Sequence, residues 1–259
     1  LVGGQSQEDL TFEKAIDLFE TIYMPSRNFT PQSRVAYKLD VKQLGNFLRE
    51  RGVTKPKQVG LAQLQAFLAQ LDEKQLTGVT RRRKTASIKA LFNFLATSGF
   101  LPNNPAKELI PPERENKEPR FLTTQEYQAL LRACAHETRD AAIIELLLQT
   151  GIRLSEAVRL TIHDIEIPRN VRADGEHMGS IAIKGKGRKN RTLPLNYKAC
   201  KALKAWLKVR PTTTDPALFV TKFREPIGAR AIQRLVAKYL KAAGIRQASV
   251  HTLRHSFAT

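Results

Sequence analysis

Only two cysteines, Cys134 and Cys200, occur in the 259 residues, and they form no CxxC pair. That excludes a disulfide framework and a thiolate zinc site, and it fits a reducing compartment. No stretch approaches the ~18 apolar residues of a membrane-spanning helix, and no secretory signal pattern opens the chain. A cytoplasmic location with no membrane partner is therefore expected. Aromatic residues make up 7 % of the chain, and no aromatic-rich RNA-recognition signature is present. Acid is the scarcer charge: 24 Asp+Glu stand against 43 Lys+Arg, for a net charge of +19. The excess is uneven. Up to Glu113 there are 16 basic and 11 acidic residues, or +5; beyond it there are 27 and 13, or +14. Such a balance favours a polyanionic partner, namely DNA, RNA or an anionic surface.

The length suits two domains. Residues 1–10, LVGGQSQEDL, are polar and glycine-bearing, and are expected to be a tail that is disordered or foreign to the protein. Residues 11–100 read as a four-helix unit. Its first helix has an apolar stripe from Phe12 to Tyr23 after Thr11. The second opens at Thr30-Pro31, with a stripe of Val35, Leu39, Leu44, Phe47 and Leu48. A third covers Leu61–Leu71, and a fourth Val79–Thr97. The fourth begins with Arg81, Arg82, Arg83 and Lys84, and Lys89 extends the basic surface. These five cations are predicted to contact a DNA backbone. Residues 101–119 carry five prolines and are expected to be a linker with one short turn.

Residues 120–259 change in character. Thr123 to Glu126 form a capping signature, and the apolar run Ala141 to Leu148 predicts a buried helix that Gly151 ends. Strands are predicted at Gly179–Lys184 and Arg191–Leu195, joined by a glycine-bearing basic turn, and helices return at Tyr197–Val209 and Ala229–Ala243. The expected fold class is mainly α with a small antiparallel β-sheet in the second domain.

Three stretches carry chemistry. In TGIRLSEAVRL (Thr150–Leu160), Arg153 and Glu156 are three apart and share one helical face, where an arginine can offer a planar fork to a phosphate. By itself this motif reads first as a structural ion pair. In HTLRH, His251 and Arg254 stand i, i+3, so both can face one phosphate. His251 and His255 stand i, i+4, but there is no HExxH glutamate and no evident third ligand, so no metal is expected. Lys186 lies between two glycines in the basic turn. A lysine's flexible stem would let it reach a leaving oxygen and protonate it.

Taken together, TGIRLSEAVRL, KGKGRKNRTLPL (Lys184–Leu195) and HTLRHSFAT (His251–Thr259) resemble, in order and spacing, the catalytic domain of the tyrosine recombinases. This is the integrase family that includes the Xer proteins. The helical unit, linker and mixed domain resemble that family's architecture over nearly the whole chain. The resemblance implies that Arg153 and Arg254 clamp a DNA phosphate, with His251 beside them and Lys186 as the mobile catalytic lysine. Glu156 would support Arg153 from beneath, and His255 would pack or support. Lys184, Arg188, Lys189 and Arg191 would serve phosphate binding or nothing specific. In the family a tyrosine attacks a phosphodiester to give a 3′-phosphotyrosine and a free 5′-hydroxyl, without metal or nucleotide cofactor. The partner implied is double-stranded DNA in the nucleoid, bound by a homotetramer on paired sites.

The family's nucleophile lies beyond HxxR, whereas Tyr23, Tyr37, Tyr127, Tyr197 and Tyr239 all precede His251. Tyr239 is expected to pack in the core. The chain thus reads as a recombinase without its last segment, a monomer that binds DNA but does not cleave it. The competing reading is an inactive module that occupies recombination sites. An RNA- or ribosome-associated helical protein is a weaker third.

Overall fold

The computed structural model describes residues 10–113, 118, 120–170, 179–184 and 190–257. The chain divides into two compact units, Leu1–Lys117 and Glu118–Thr259.

The first unit is helical. α1 (Phe12–Leu18) is capped by Thr11, which accepts from the Lys14 N–H, and runs through a π-helical turn at Phe19–Tyr23 into α2 (Met24–Ser26). α3 (Pro31–Arg49) starts at the Thr30 cap with Pro31 in its first position, where a missing N–H costs nothing. α4 spans Leu61–Glu73 and α5 spans Gly78–Thr97. Phe19, Val41, Leu44, Leu48, Leu64, Ile88, Leu91, Phe92 and Leu95 are fully buried between them.

Three expectations need correction. Leu10, assigned to the tail, is buried in this core. Val35 and Leu39, assigned to the apolar stripe of α3, are 69 % and 54 % exposed. They precede the buried Leu44 by nine and five residues, which at ~100° per residue turns them about 180° and 140° away from it. The inward face is instead Asp40, Val41, Leu44, Gly45, Phe47 and Leu48. The supposed linker is also partly core. Leu101, Ala106 and Leu109 are buried in the first unit, and the boundary between units falls after Lys117. Proline forbids continuous helix there but does not prevent packing.

The second unit is built on α7 (Thr138–Thr150), whose Ala142, Ile143, Ile144, Leu146 and Leu147 are buried. α6 (Thr124–Cys134) has the predicted capping box: Thr123 Oγ1 accepts from the Glu126 N–H at 3.2 Å, and Glu126 accepts from the Thr123 N–H at 3.0 Å. α8 is a single short turn, Leu154–Ala157. β1 (Ile165–Glu166), β2 (Gly179–Lys184) and β3 (Asn190–Leu195) form an antiparallel sheet in that order. Ile181 pairs with Leu193 and Ile183 with Arg191, so Arg191 shares the inward face with Leu193 and Leu195. α9 (Tyr197–Val209), α10 (Ala229–Ala242) and α11 (Val250–Phe257) complete the unit. The mainly helical architecture with one small antiparallel sheet is the one expected. Among the described residues no helix is long and apolar enough to cross a membrane.

Candidate phosphate site

The site grows from the end of α7. Gly151 caps that helix in the left-handed region at φ 56°, and its N–H donates to the Leu147 carbonyl at 3.1 Å. A side chain there would be strained by the backbone and blocked as well, since a Cβ would lie 2.5 Å from the Phe257 ring. After this reversal Arg153 has extended backbone as the N-cap of α8, and its side chain is 62 % exposed.

Glu156, in the first turn of α8, is buried. Its Oε2 accepts from the Arg153 N–H at 2.8 Å and its Oε1 from Arg153 Nη1 at 3.2 Å. The predicted Arg153–Glu156 pairing is therefore present, although it joins a helix cap to its first turn. The stronger partner is one the sequence reading passed over. Arg191, on β3, donates Nη1 to Oε1 at 3.0 Å and Nη2 to Oε2 at 2.8 Å, a bidentate fork. Burial by itself would raise the Glu156 pKa. The bonds from Arg191, then from the Arg153 backbone and guanidinium, outweigh burial and hold it at about 2. Arg191 is thus committed to a carboxylate, and the expectation that it either binds phosphate or does nothing specific is corrected.

Arg254, on α11, donates Nη1 to the Gly151 carbonyl, two residues before Arg153. The Arg254 side chain is thereby tied to the turn that ends α7 and leads into Arg153. His251 lies one helical turn before Arg254 and is exposed, with its N–H donating to Ser249 Oγ at 3.2 Å. His255 is exposed and meets the Phe121 ring edge-on, with centroids 6.4 Å apart. Ser256 anchors this part of α11 by accepting from the Leu122 N–H at 2.7 Å. Lys186, Arg188 and Lys189 lie outside the described residues. Lys184 is exposed and pairs with Asp164 at 3.3 Å.

Tyr239 is buried and donates to Asp140 Oδ2 at 2.9 Å. Burial, followed by that carboxylate, pushes its pKa up. The phenol is thus a core group without access to DNA. Burial likewise raises the thiols of Cys134 and Cys200, the former to about 11. Among the described residues no group of three or more His, Cys, Asp or Glu side chains could hold a metal.

The basic start of α5 differs from expectation. Lys84 is buried, bonding Asp40 Oδ1 at 2.9 Å and also Gln43, so its assignment to DNA is corrected. Asp40 is fully buried, and a carboxylate there requires compensating cations. Arg83 and Ser87 supply further donors to it. Arg81 pairs with Asp72 at 2.6 Å, and Lys89 caps the Lys107 and Leu109 carbonyls at 2.9 and 3.0 Å. Arg82 is exposed and donates to the Pro112 carbonyl at 3.0 Å. Much of this cationic run therefore joins α5 to α3, α4 and the proline-rich segment.

The phage integrase family matches residues 120–259, and the phage integrase N-terminal SAM-like domain matches residues 16–99. The tyrosine recombinase XerC of Pseudomonas fluorescens is 30 % identical over 257 residues, covering 95 % of this chain and 82 % of that protein. XerC of Thermodesulfovibrio yellowstonii is 30 % identical over 237 residues, covering 86 % and 74 %. Among solved structures, a lambda integrase dimer bound to a COC′ core site superposes with a TM-score of 0.77 at 16 % identity, covering 98 % of this chain and 70 % of that one. XerH bound to a palindromic difH substrate superposes with a TM-score of 0.73 at 22 % identity, covering 94 % and 72 %. Two family models spread over both units and relatives aligned along nearly the full length agree with the fold: the chain belongs to the tyrosine recombinases of the phage integrase family.

Proposed function

We propose that this chain carries the phosphate-binding part of a site-specific DNA recombinase. Arg153 and Arg254 hold the equatorial oxygens of a DNA phosphodiester, and His251 donates beside them. Arginine suits this role because it stays protonated and presents several donors at fixed angles. Lys186, as general acid, gives its proton to the departing 5′-oxygen while a tyrosine oxygen bonds to phosphorus and the P–O5′ bond breaks. Glu156 supports Arg153, and His255 packs beside Phe121. The observation that carries the reading is the bond from Arg254 to the Gly151 carbonyl, which brings the second arginine to the turn presenting the first.

None of the five tyrosines follows Arg254. The 259-residue polypeptide alone accordingly binds duplex DNA as a monomer without cleaving it, and cleavage belongs to a homotetramer on paired sites that includes the tyrosine. Backbone contacts come from Arg82 and Lys184, which are exposed, and from the partly exposed Arg83, with Arg188 and Lys189 of the basic turn as further candidates. The test is a duplex nicked near the cleavage position, run on a denaturing gel. The 259 residues yield no covalent adduct, and extension by a tyrosine-bearing segment yields one. Arg153→Ala or Arg254→Ala abolishes the adduct while changing duplex affinity little. An adduct formed by the 259 residues themselves would overturn this account.

A further inference from the structure

The Glu156 carboxylate sits between two arginines that it does not treat alike. Arg191 gives it a full bidentate fork, while Arg153 gives it one guanidinium nitrogen and a backbone N–H. A carboxylate offers about four acceptor positions, and here four donors fill them. Arg153 consequently keeps most of its guanidinium free, in agreement with its 62 % exposure. If Arg191 were absent, the nearest fork for a buried carboxylate would be that of Arg153 itself, three residues away on the same turn. The pair would close into a bidentate bridge and occupy the donors that a phosphate needs.

We propose that Arg191 is a positioning residue that saturates Glu156 and thereby keeps the Arg153 guanidinium open toward phosphate. The inference rests on the phosphate-binding role of Arg153 proposed above. It differs from a purely structural role in its sign. A structural role predicts that further damage to the network worsens the site. Competition predicts that neutralising Glu156 relieves the loss of Arg191.

The test uses the 15N-labelled 259-residue chain with orthovanadate as probe, followed by the Arg153 Nε–Hε resonance. Arg191→Gln should weaken vanadate binding about tenfold, the scale of one charge-assisted bond. The double variant Arg191→Gln/Glu156→Gln should bind more tightly than Arg191→Gln alone. Arg191→Gln within about twofold of wild type, or a double variant weaker than the single, overturns the proposal. If Arg191→Gln fails to fold, as read by Trp206 fluorescence, Arg191→Lys decides. It keeps the charge but loses the fork, so threefold or more weakening is expected, and unchanged affinity is fatal. Relaxation of the Arg153 side chain separates the two claims. If vanadate leaves wild-type Arg153 unmoved, the phosphate reading fails. If the Arg153 side chain nonetheless changes its order in Arg191→Gln, the positioning relationship stands without it.

Discussion

Arg191 holds Glu156 by both terminal nitrogens, at 3.0 and 2.8 Å, and so ties the third strand of the sheet to the turn that carries Arg153. The Glu156 carboxyl ionises at about 2 in the folded protein, against an ordinary value of about 4.3. A depressed carboxyl contributes stability that is fully present above the unfolded value and is lost as pH falls through the folded one. The window here runs from about pH 4.3 down to about pH 2, and the contribution above it is up to about 3 kcal/mol. Urea melts of wild type and Glu156→Gln should therefore differ clearly at pH 7, and the gap should narrow steadily below pH 4. A gap that stays constant down to pH 2.5 would contradict the assigned coupling.

Gly151→Ala should be costly. The left-handed backbone there penalises any Cβ, and the Phe257 ring occupies the space that a Cβ would take. A destabilisation above about 1 kcal/mol is expected, with displacement of the end of α11. Thermal melting measures the first, and the Arg254 side-chain resonances report the second. Gly99→Ala is the control. It shares the positive φ, but a Cβ added there would meet nothing within 4 Å, so it isolates the backbone part of the cost.

The helices of both units, their caps and the β2–β3 pair were legible because each is governed by local rules: Thr123 with Glu126, Thr30 before Pro31, Gly151 after an apolar run. The errors lie where a local pattern meets a tertiary partner. Val35 and Leu39 look like core because they are apolar, yet their angular position on α3 turns them outward. Arg83 and Lys84 look like DNA-contacting cations because the sequence does not show that Asp40, on another helix, is buried opposite them. Arg191 was discoverable. In Asn190-Arg-Thr-Leu-Pro-Leu195 the period-two alternation places it with Leu193 and Leu195, and a charge on the inward face of a strand demands a buried partner.

The Asp40 network predicts an asymmetry in stability. Asp40→Ala leaves the Lys84 ammonium buried without its carboxylate, and a loss of about 3–5 kcal/mol is expected. Asp40→Leu combined with Lys84→Met removes both charges and replaces them with apolar volume, so it should lose much less than the single change. Chemical denaturation followed at several wavelengths would settle the comparison. Equal losses in the two variants would mean that the pair is not the organising contact between α3 and α5.

The same network separates the basic residues of α5 by their effect on DNA affinity. Binding that releases condensed counterions weakens with salt in proportion to the number of phosphates neutralised, and each lost contact reduces the slope of log K against log salt by about 1. Lys84 is sequestered with Asp40 and Gln43, so Lys84→Met should leave that slope unchanged once the fraction folded is accounted for. Arg82 is exposed and held only lightly through the Pro112 carbonyl, so Arg82→Ala should lower the slope by about 1. Arg83 donates to Asp40 and to the Ala36 carbonyl, yet 40 % of its side chain remains exposed, and Arg83→Ala should combine a smaller slope with a measurable loss of stability. Fluorescence anisotropy on a duplex between about 50 and 200 mM salt supplies the slopes. A reduced slope for Lys84→Met would show that the buried lysine leaves Asp40 to reach DNA. A slope unchanged in Arg82→Ala would remove the start of α5 from the DNA-contacting surface.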